Sequence, residues 1–478
     1  MFQLIDVFFA FITIALMVLV GRFVRQRIKI LRDLYLPSSI VAGAIALLLG
    51  PQALGAVIAA IAGSTLSPLA QGLFPENIRN VWSQSPSVFI NVVFATLFIG
   101  ESIPSPRDIW RKASPQVAFG QTLAWGQYVV GLLLAIFILT PVFGMSPIAG
   151  SLIEVAFEGG HGTAAGMAET FNNLGFTVGP DLALGLATVG IVSGIVAGTM
   201  LADWARRSGK IQVIRSEDPN AGSFSHDRTN EDPTIRVARA RLMRDLLIDP
   251  LSLNLSFVGL AIAIGWLILQ ALIYIESITW GRAGIELFSY VPLFPIALIG
   301  GLIVQLLLER TGRSYLISRP LIERIGGVAL DVTIVTALAS ISLAVLGSNL
   351  GPFLILSVAG IAWNVLAFIY LGPRILPTFW FERGIGDMGQ SMGVTATGLV
   401  LMRMVDPDNR SGAFESFAYK QLLFEPIVGG GLFTAAAPLL IAQFGPVMVL
   451  LLTTVILIFW LVFGIYNFKR ITKTSQVV

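Results

Sequence analysis

Apolar runs of membrane-crossing length recur along this chain, and they leave it few ways to fold. A helix needs roughly 20 residues to cross a hydrocarbon core of about 30 Å. Runs of that kind lie near 5–20, 38–61, 88–103, 117–139, 183–203, 251–275, 291–308, 327–347, 353–372, 420–441 and 446–467. A composition that is 55% hydrophobic and only 12% charged agrees with them. It predicts an all-α polytopic membrane protein with about 11 transmembrane helices, and it excludes a soluble enzyme. The first run, Val7–Val20, has no cation before it, and Arg22, Arg25, Arg27, Lys29 and Arg32 follow it. That order describes a first transmembrane helix with its N-terminus outside, not a cleaved signal.

Two stretches, 147–178 and 376–405, are rich in glycine and belong to none of these runs. Each is long enough for two half-spans, and the distribution of cations predicts that both are re-entrant hairpins. With the N-terminus outside, the inside loops are 21–36, 104–115, 204–250, 309–326 and the C-terminal tail. They hold clusters such as Arg107, Arg111 and Lys112, whereas the outside loops 62–87 and 276–290 hold only Arg79 and Arg282. This alternation survives only if each hairpin returns to the side it left. The C-terminus is then cytoplasmic.

The same topology starts the first half outside and the second half inside, as an inverted repeat requires. Sequence echoes agree. At an offset of 227 residues, Gly159, Gly162 and Gly166 fall on Gly386, Gly389 and Gly393. Asn91-Val92 with Thr96 is echoed by Asp331-Val332 with Thr336, and Leu36-Pro37 with Ala42-Gly43 by Phe294-Pro295 with Gly300-Gly301. The expected organisation is a first repeat, 1–205, with its hairpin near 147–178, and a cytoplasmic linker, 206–250. A second repeat, 251–441, with its hairpin near 376–405, precedes an extra C-terminal helix and tail, 442–478. Within the linker, Arg236–Asp245 has the pattern of a short surface helix, and His226 reads as a solvated residue.

The first motif is Glu158-Gly159-Gly160-His161-Gly162-Thr163. Glycines free the backbone from the helix ladder, and at membrane depth such groups must be buried in protein or line a wet cavity. Small residues also serve plain helix packing, and that reading suits Gly190, Gly194 and Gly198. Packing alone does not call for a histidine and a carboxylate in the same run. His161 either contacts substrate or ion, or positions the hairpin. The second motif offers Asp387, Gly389, Gln390, Ser391, Thr395 and Thr397. Hard cations take oxygen ligands from hydroxyls, carbonyls and carboxylates, which makes Thr163, Asp387, Ser391 and Asp331 candidate sodium ligands. The competing role for any hydroxyl is a bond to its own helix. Asn91 and Asp331 are polar residues inside apolar spans and join the candidate binding set with Gly159, Gly160 and Gly162. Glu154, Glu158 and Glu169 flank the first stretch. Arg403 and Lys420 are possible partners for a substrate carboxylate, and snorkelling to the interface is the competing reading.

Several functions are excluded. Without cysteine there is no disulfide, thiolate site or cysteine nucleophile. His161 and His226 are the two histidines, too few for a histidine-rich metal site. No metalloprotease motif occurs, and no enzyme is expected. A net charge of +3, with its cations in short loops, gives no reason for a nucleic-acid partner.

At Gly159-Gly160-His161-Gly162-Thr163, and at Gly386-x-x-Gly389-x-x-x-Gly393-x-Thr395-x-Thr397, the chain resembles the sodium/glutamate symporter family. Leu36-Pro37 with Ala42-Gly43 after a basic loop is similar to that family's second helix. The resemblance runs to about residue 441. It implies a plasma (inner) membrane homodimer that symports L-glutamate with Na+ by alternating access, through an elevator-like movement and with no organic cofactor. The chain departs from the family pattern in its extra segment 446–467 and at Asp387-Met388 and Gln390-Ser391. The alternatives are a sodium- or proton-coupled carrier of other dicarboxylates or hydroxy acids and, less favoured, an ion channel.

Overall fold

The computed structural model describes residues 3–62, 68–213, 249–284 and 286–475. Among these residues the regular structure is helical, with no strand. Seven helices are long and apolar enough to cross a membrane: Leu4–Arg27, Ser38–Ile61, Lys112–Phe143, Gly179–Arg207, Pro250–Ile278, Leu350–Ile375 and Pro446–Ile471. The chain is therefore an all-helical polytopic membrane protein. His226, the segment Arg236–Asp245 and most of the linker lie outside the described residues.

The elements that build the site are α1 (Leu4–Arg27), α2 (Ser38–Leu48), α3 (Glu76–Thr96), α4 (Pro106–Leu134), α5 (Gly160–Gly166), α6 (Gly179–Arg207) and α7 (Pro250–Ile278). They continue as α8 (Phe294–Arg310), α9 (Arg319–Ala339), α10 (Leu350–Ile375), α11 (Trp380–Val405), α12 (Ala413–Phe424), α13 (Leu432–Phe444) and α14 (Pro446–Ser475). Three further expected spans form helices that are shorter or more polar than a plain span. α8 has 17 residues, roughly 25 Å at 1.5 Å per residue. α3 opens on Glu76, Asn77 and Arg79, and α9 opens on Arg319, Glu323 and Arg324.

One expected span differs more deeply. The run 420–441 reads as a single helix in sequence, but α12 ends at Phe424 and α13 starts at Leu432. Between them Gly429 and Gly430 take φ of 72° and 103°. Left-handed backbone is accessible to glycine and costs other residues about 1–2 kcal/mol. The Gly429-Gly430-Gly431 run thus turns an apolar segment into a corner.

The helices pack in two groups. In one, α3 lies against α9, α2 packs on α9 and α8 on α3, while α1 packs on α2 and α7 on α8. Small residues permit this closeness: a Cβ on Gly265 would lie 2.8 Å from Ala297 Cα, and one on Gly43 would lie 2.7 Å from Leu338 Cβ. In the other group α4 packs on α10, α11, α12 and α14, and α6 packs on α11 and α10. α5 lies between the groups, touching α3 and α9 on one side and α6 and α11 on the other. Exposed large apolar residues such as Phe8, Leu19, Trp266, Leu267, Phe459 and Val462 form the outer surface of α1, α7 and α14. In water such a surface would be an association hazard; against lipid tails it is the expected exterior. α14 is joined to α4 through Trp110 and Phe463, 5.2 Å between ring centroids, and through a 3.1 Å bond from Asn467 to the Ser114 hydroxyl.

Candidate functional site

Two helix breaks meet where α5 adjoins the second group. In the first motif a wide π turn, Glu154–Glu158, gives way at Gly159 to α5, and Gly160 has φ of 66°. In the second motif Gly393 and Val394 leave helical geometry and divide α11. The two arms of α11 fold back on each other. A Cβ on Gly389 would lie 2.9 Å from Gly398 Cα, and one on Gly398 would strike the Gly386 carbonyl. In a straight helix, residues 386 and 398 would be about 18 Å apart. Val394 has φ of 64°, a strained conformation for a β-branched residue that costs on the order of 1–3 kcal/mol. The strained tip touches the other motif, since a Cβ on Gly160 would collide with Val394 Cγ1.

The surrounding polar groups are buried and fall into three sets. The first is an ion pair. Lys420 Nζ lies 3.1 Å from Asp387 Oδ1, with side-chain exposures of 1% and 0%. The same ammonium donates to Gln390 Oε1 at 2.7 Å and sits over the rings of Phe424 and Phe417. Gln116 on α4 donates to Asp387 Oδ2 at 2.7 Å. Lys420 therefore does not snorkel; it is a buried structural cation. Arg403 is exposed.

The second set is centred on Glu154. Its carboxylate accepts from the Tyr128 hydroxyl at 2.5 Å, the Gly429 amide at 2.8 Å and the Thr434 hydroxyl at 2.8 Å. It ties the π turn to the glycine corner and to α13.

The third set lacks partners. Both oxygens of Glu158, Nδ1 of His161 and Oγ1 of Thr163 are buried with no hydrogen-bond partner among the described residues. His161 Nε2 lies 2.9 Å from the Thr188 hydroxyl, which itself bonds the Leu184 carbonyl at 3.1 Å. With the Thr188 proton given to that carbonyl, Nε2 is the donor, and a neutral ring presents Nδ1 as an acceptor.

The other expected residues are placed as follows. The Ser391 carbonyl accepts from Gln127, which also donates to Asn364. Thr395 is linked to Gln421 and Glu425. Thr397 bonds its own helix at the Gly393 carbonyl, and Gly389 packs the two arms of α11 together. Asn91 bonds the Ser87 and Val88 carbonyls of its own helix. Asp331 lies on α9 beside Ser39 of α2, and neighbouring Leu330 reaches towards Gly162. The breaks, Glu158–Thr163, Asp387, Gln390 and Ser391 come together, while Asn91 and Asp331 stand on the helices behind α5. Sequence reasoning missed Gln116, Gln127, Tyr128, Asn364, Thr434 and the glycine corner. Two signals were present: glutamines in or bordering the apolar run 117–139, and three consecutive glycines.

Two variants separate these roles. Asn91→Leu removes only a bond to its own helix, so the melting temperature of the purified protein should change little. Gln116→Leu takes a donor from a buried carboxylate and should destabilise by about 1–3 kcal/mol. A lower melting temperature for Asn91→Leu than for Gln116→Leu would contradict both assignments.

The profile of the sodium/glutamate symporter family matches residues 87–405. A sodium/glutamate symporter of Haemophilus influenzae is 25% identical over 424 residues, covering 87% of this chain and 91% of that protein. No solved structure matches the chain. With the family profile spanning well over half of its length, the chain belongs to the sodium/glutamate symporter family.

Proposed function

We propose that this protein is a secondary active transporter that symports L-glutamate with sodium by alternating access. The observation that carries the reading is the contact between Gly160 and Val394, two helix breaks from opposite halves of the chain, amid buried polar groups. Irregular backbone at membrane depth, surrounded by protein and supplied with unpaired polar atoms, is the usual form of a transporter's binding site. Gly159–Thr163 face the substrate and the ion from the first half. Gly389, Gln390, Ser391, Thr395 and Thr397 complete the site from the second. Asp387 has both oxygens engaged by Lys420 and Gln116 and serves the second motif. Asn91 and Asp331 back α5 from the other helix group. No organic cofactor takes part in this scheme.

Two inverted repeats, 1–205 and 251–441, account for the reciprocal packing of α2 on α9 and α8 on α3. In this reading ten transmembrane helices, an eleventh crossing broken at the Gly429–Gly430 corner and two re-entrant hairpins are threaded with the N-terminus outside and the C-terminus in the cytoplasm of a plasma (inner) membrane homodimer. The segment 442–478 adds the last helix and tail. An elevator-like movement carries the group containing α4, α6, α10 and α11 past the group built on α3 and α9. The sliding surface would run along α5, where Gly162 and Gly166 face Ile90 and Phe294.

The test is uptake of labelled glutamate into proteoliposomes with and without an inward sodium gradient, for wild type, His161→Ala and Thr163→Ala. Sodium-driven accumulation in wild type should fall by about tenfold or more in each variant, the effect of losing one direct ligand contact. Uptake indifferent to sodium would refute the coupling. Competition by citrate or malate that exceeds competition by glutamate would refute the substrate.

A further inference from the structure

We propose that the coupling sodium ion is held by Glu158 and Thr163 against the Gly429–Gly430 corner, at a place separate from the Asp387–Lys420 pair. This rests on the reading of the chain as a sodium-coupled transporter and assigns the ion within that site.

The buried acids nearby differ in one respect. Glu154 has Tyr128, Gly429 and Thr434; Asp387 has Lys420 and Gln116; Glu425 has Thr395 and Gln421. Glu158 is 2% exposed, yet neither of its oxygens has a hydrogen-bond partner among the described residues. An uncompensated carboxylate in such a place is strongly disfavoured, so the group takes up either a proton or a cation, and the oxygens gathered around it favour the cation. The Ser391 hydroxyl lies beside Glu158, outside hydrogen-bond geometry, and Lys420 is within electrostatic reach, but its ammonium bonds Asp387 and Gln390.

Thr163 Oγ1 is the second orphan, 1% exposed and also without a partner. The corner brings the two together. A Cβ on Gly429 would lie 3.5 Å from Glu158 Cγ, and one on Gly430 would lie 2.6 Å from Thr163 Oγ1. The two orphans thus flank consecutive residues of one turn. The amides of that turn are occupied, Gly429 by Glu154 and Gly430 by Thr434. Among the described residues no donor reaches the carbonyl oxygens of Val428, Gly429 or Gly430. A carboxylate, a hydroxyl and free carbonyls around a small space form an all-oxygen set suited to a hard cation. Glycine at 429 and 430 supplies the left-handed turn and keeps the space clear of side-chain carbon.

The ion also has a means of coupling. Glu158 and Thr163 bracket the break at Gly159–Gly160 that meets Val394. An ion bridging them to the corner would hold the first motif in one arrangement, and a ligand shifts an equilibrium by its differential affinity for the two states.

The experiment is saturation binding of radioactive sodium to the purified full-length protein without glutamate, for wild type, Glu158→Gln, Thr163→Val and Thr163→Ser. Glu158→Gln should raise the half-saturating sodium concentration at least about tenfold, as loss of a charged ligand does. Thr163→Val should weaken binding and Thr163→Ser should restore it. If Glu158→Gln does not fold, the Val and Ser pair at Thr163 decides. Wild-type affinity in folded Glu158→Gln, or in Thr163→Val, overturns the assignment while leaving sodium coupling intact. Unchanged sodium affinity with an altered pH dependence in Glu158→Gln would make this carboxylate a proton site and equally overturns it. Absence of sodium binding to wild type, together with sodium-independent glutamate uptake, overturns the coupling reading itself.

Discussion

Lys420→Met should destabilise the protein by about 3–5 kcal/mol, because it leaves Asp387 as a buried carboxylate without its cation. Asp387 is fully buried, and after the substitution only Gln116 would remain to donate to it. Methionine is an unbranched side chain of similar size that can lie beside the Phe417 and Phe424 rings the ammonium now faces, so volume is not the main source of the loss. The measurement is the melting temperature in detergent, with Asp387→Asn and the double variant completing a cycle. The double variant should regain most of the stability that Lys420→Met loses, since a neutral amide no longer needs a countercharge. A wild-type melting temperature for Lys420→Met would mean that the pair is not formed in the folded protein. Recovery in the double variant without recovery of uptake would show that the pair serves transport as well as folding.

Gly430→Ala is the second substitution expected to have a large effect. Its new methyl group would lie 2.6 Å from Thr163 Oγ1 and press on the ring of Phe94, which is itself packed 4.7 Å from Phe294. The backbone there has φ of 103°, where an alanine is strained before any contact is counted. Transport should fall by at least about tenfold, because a displacement near 1 Å in a binding constellation is sufficient for a loss of that size or more. Gly175→Ala is the control. Gly175 has φ of 75°, and nothing lies within 4 Å of the added carbon. It therefore carries backbone strain of about 1–2 kcal/mol without the collision. Equal uptake by the two variants, at equal amounts of folded protein, would refute the view that the corner shapes the site.

How much of this was legible beforehand depends on the element. The apolar runs that became α1, α6, α7, α10 and α14 were plain, because a membrane span must be apolar over a length set by the bilayer. The helix breaks were also plain. Glycine clusters at Gly159–Gly160 and near Gly393 are where a helix can leave its ladder, and both breaks fall within the stretches singled out. The run 420–441 was misread because its hydropathy hid Gly429-Gly430-Gly431. In a window of that length three glycines scarcely alter the apolar average, yet two of them reverse the sign of φ.

The sequence by itself determined that the chain is a membrane-spanning helical protein, where two of its helices break, and which polar residues interrupt its apolar and glycine-rich stretches. Those are local properties, set by side-chain transfer energies and by the conformational freedom of glycine. Only the tertiary structure decided which of those residues meet. It paired Lys420 with Asp387, leaving Glu158 as the unpartnered acid, and it joined Glu154 to Thr434 across 280 residues of chain. It also placed Asn91 against its own helix, although its position in the sequence echoes that of Asp331. Such pairings follow from how close helices from the two halves can approach, which is governed by small residues at non-local contacts. No periodicity along the chain records which helix the other side of a contact belongs to.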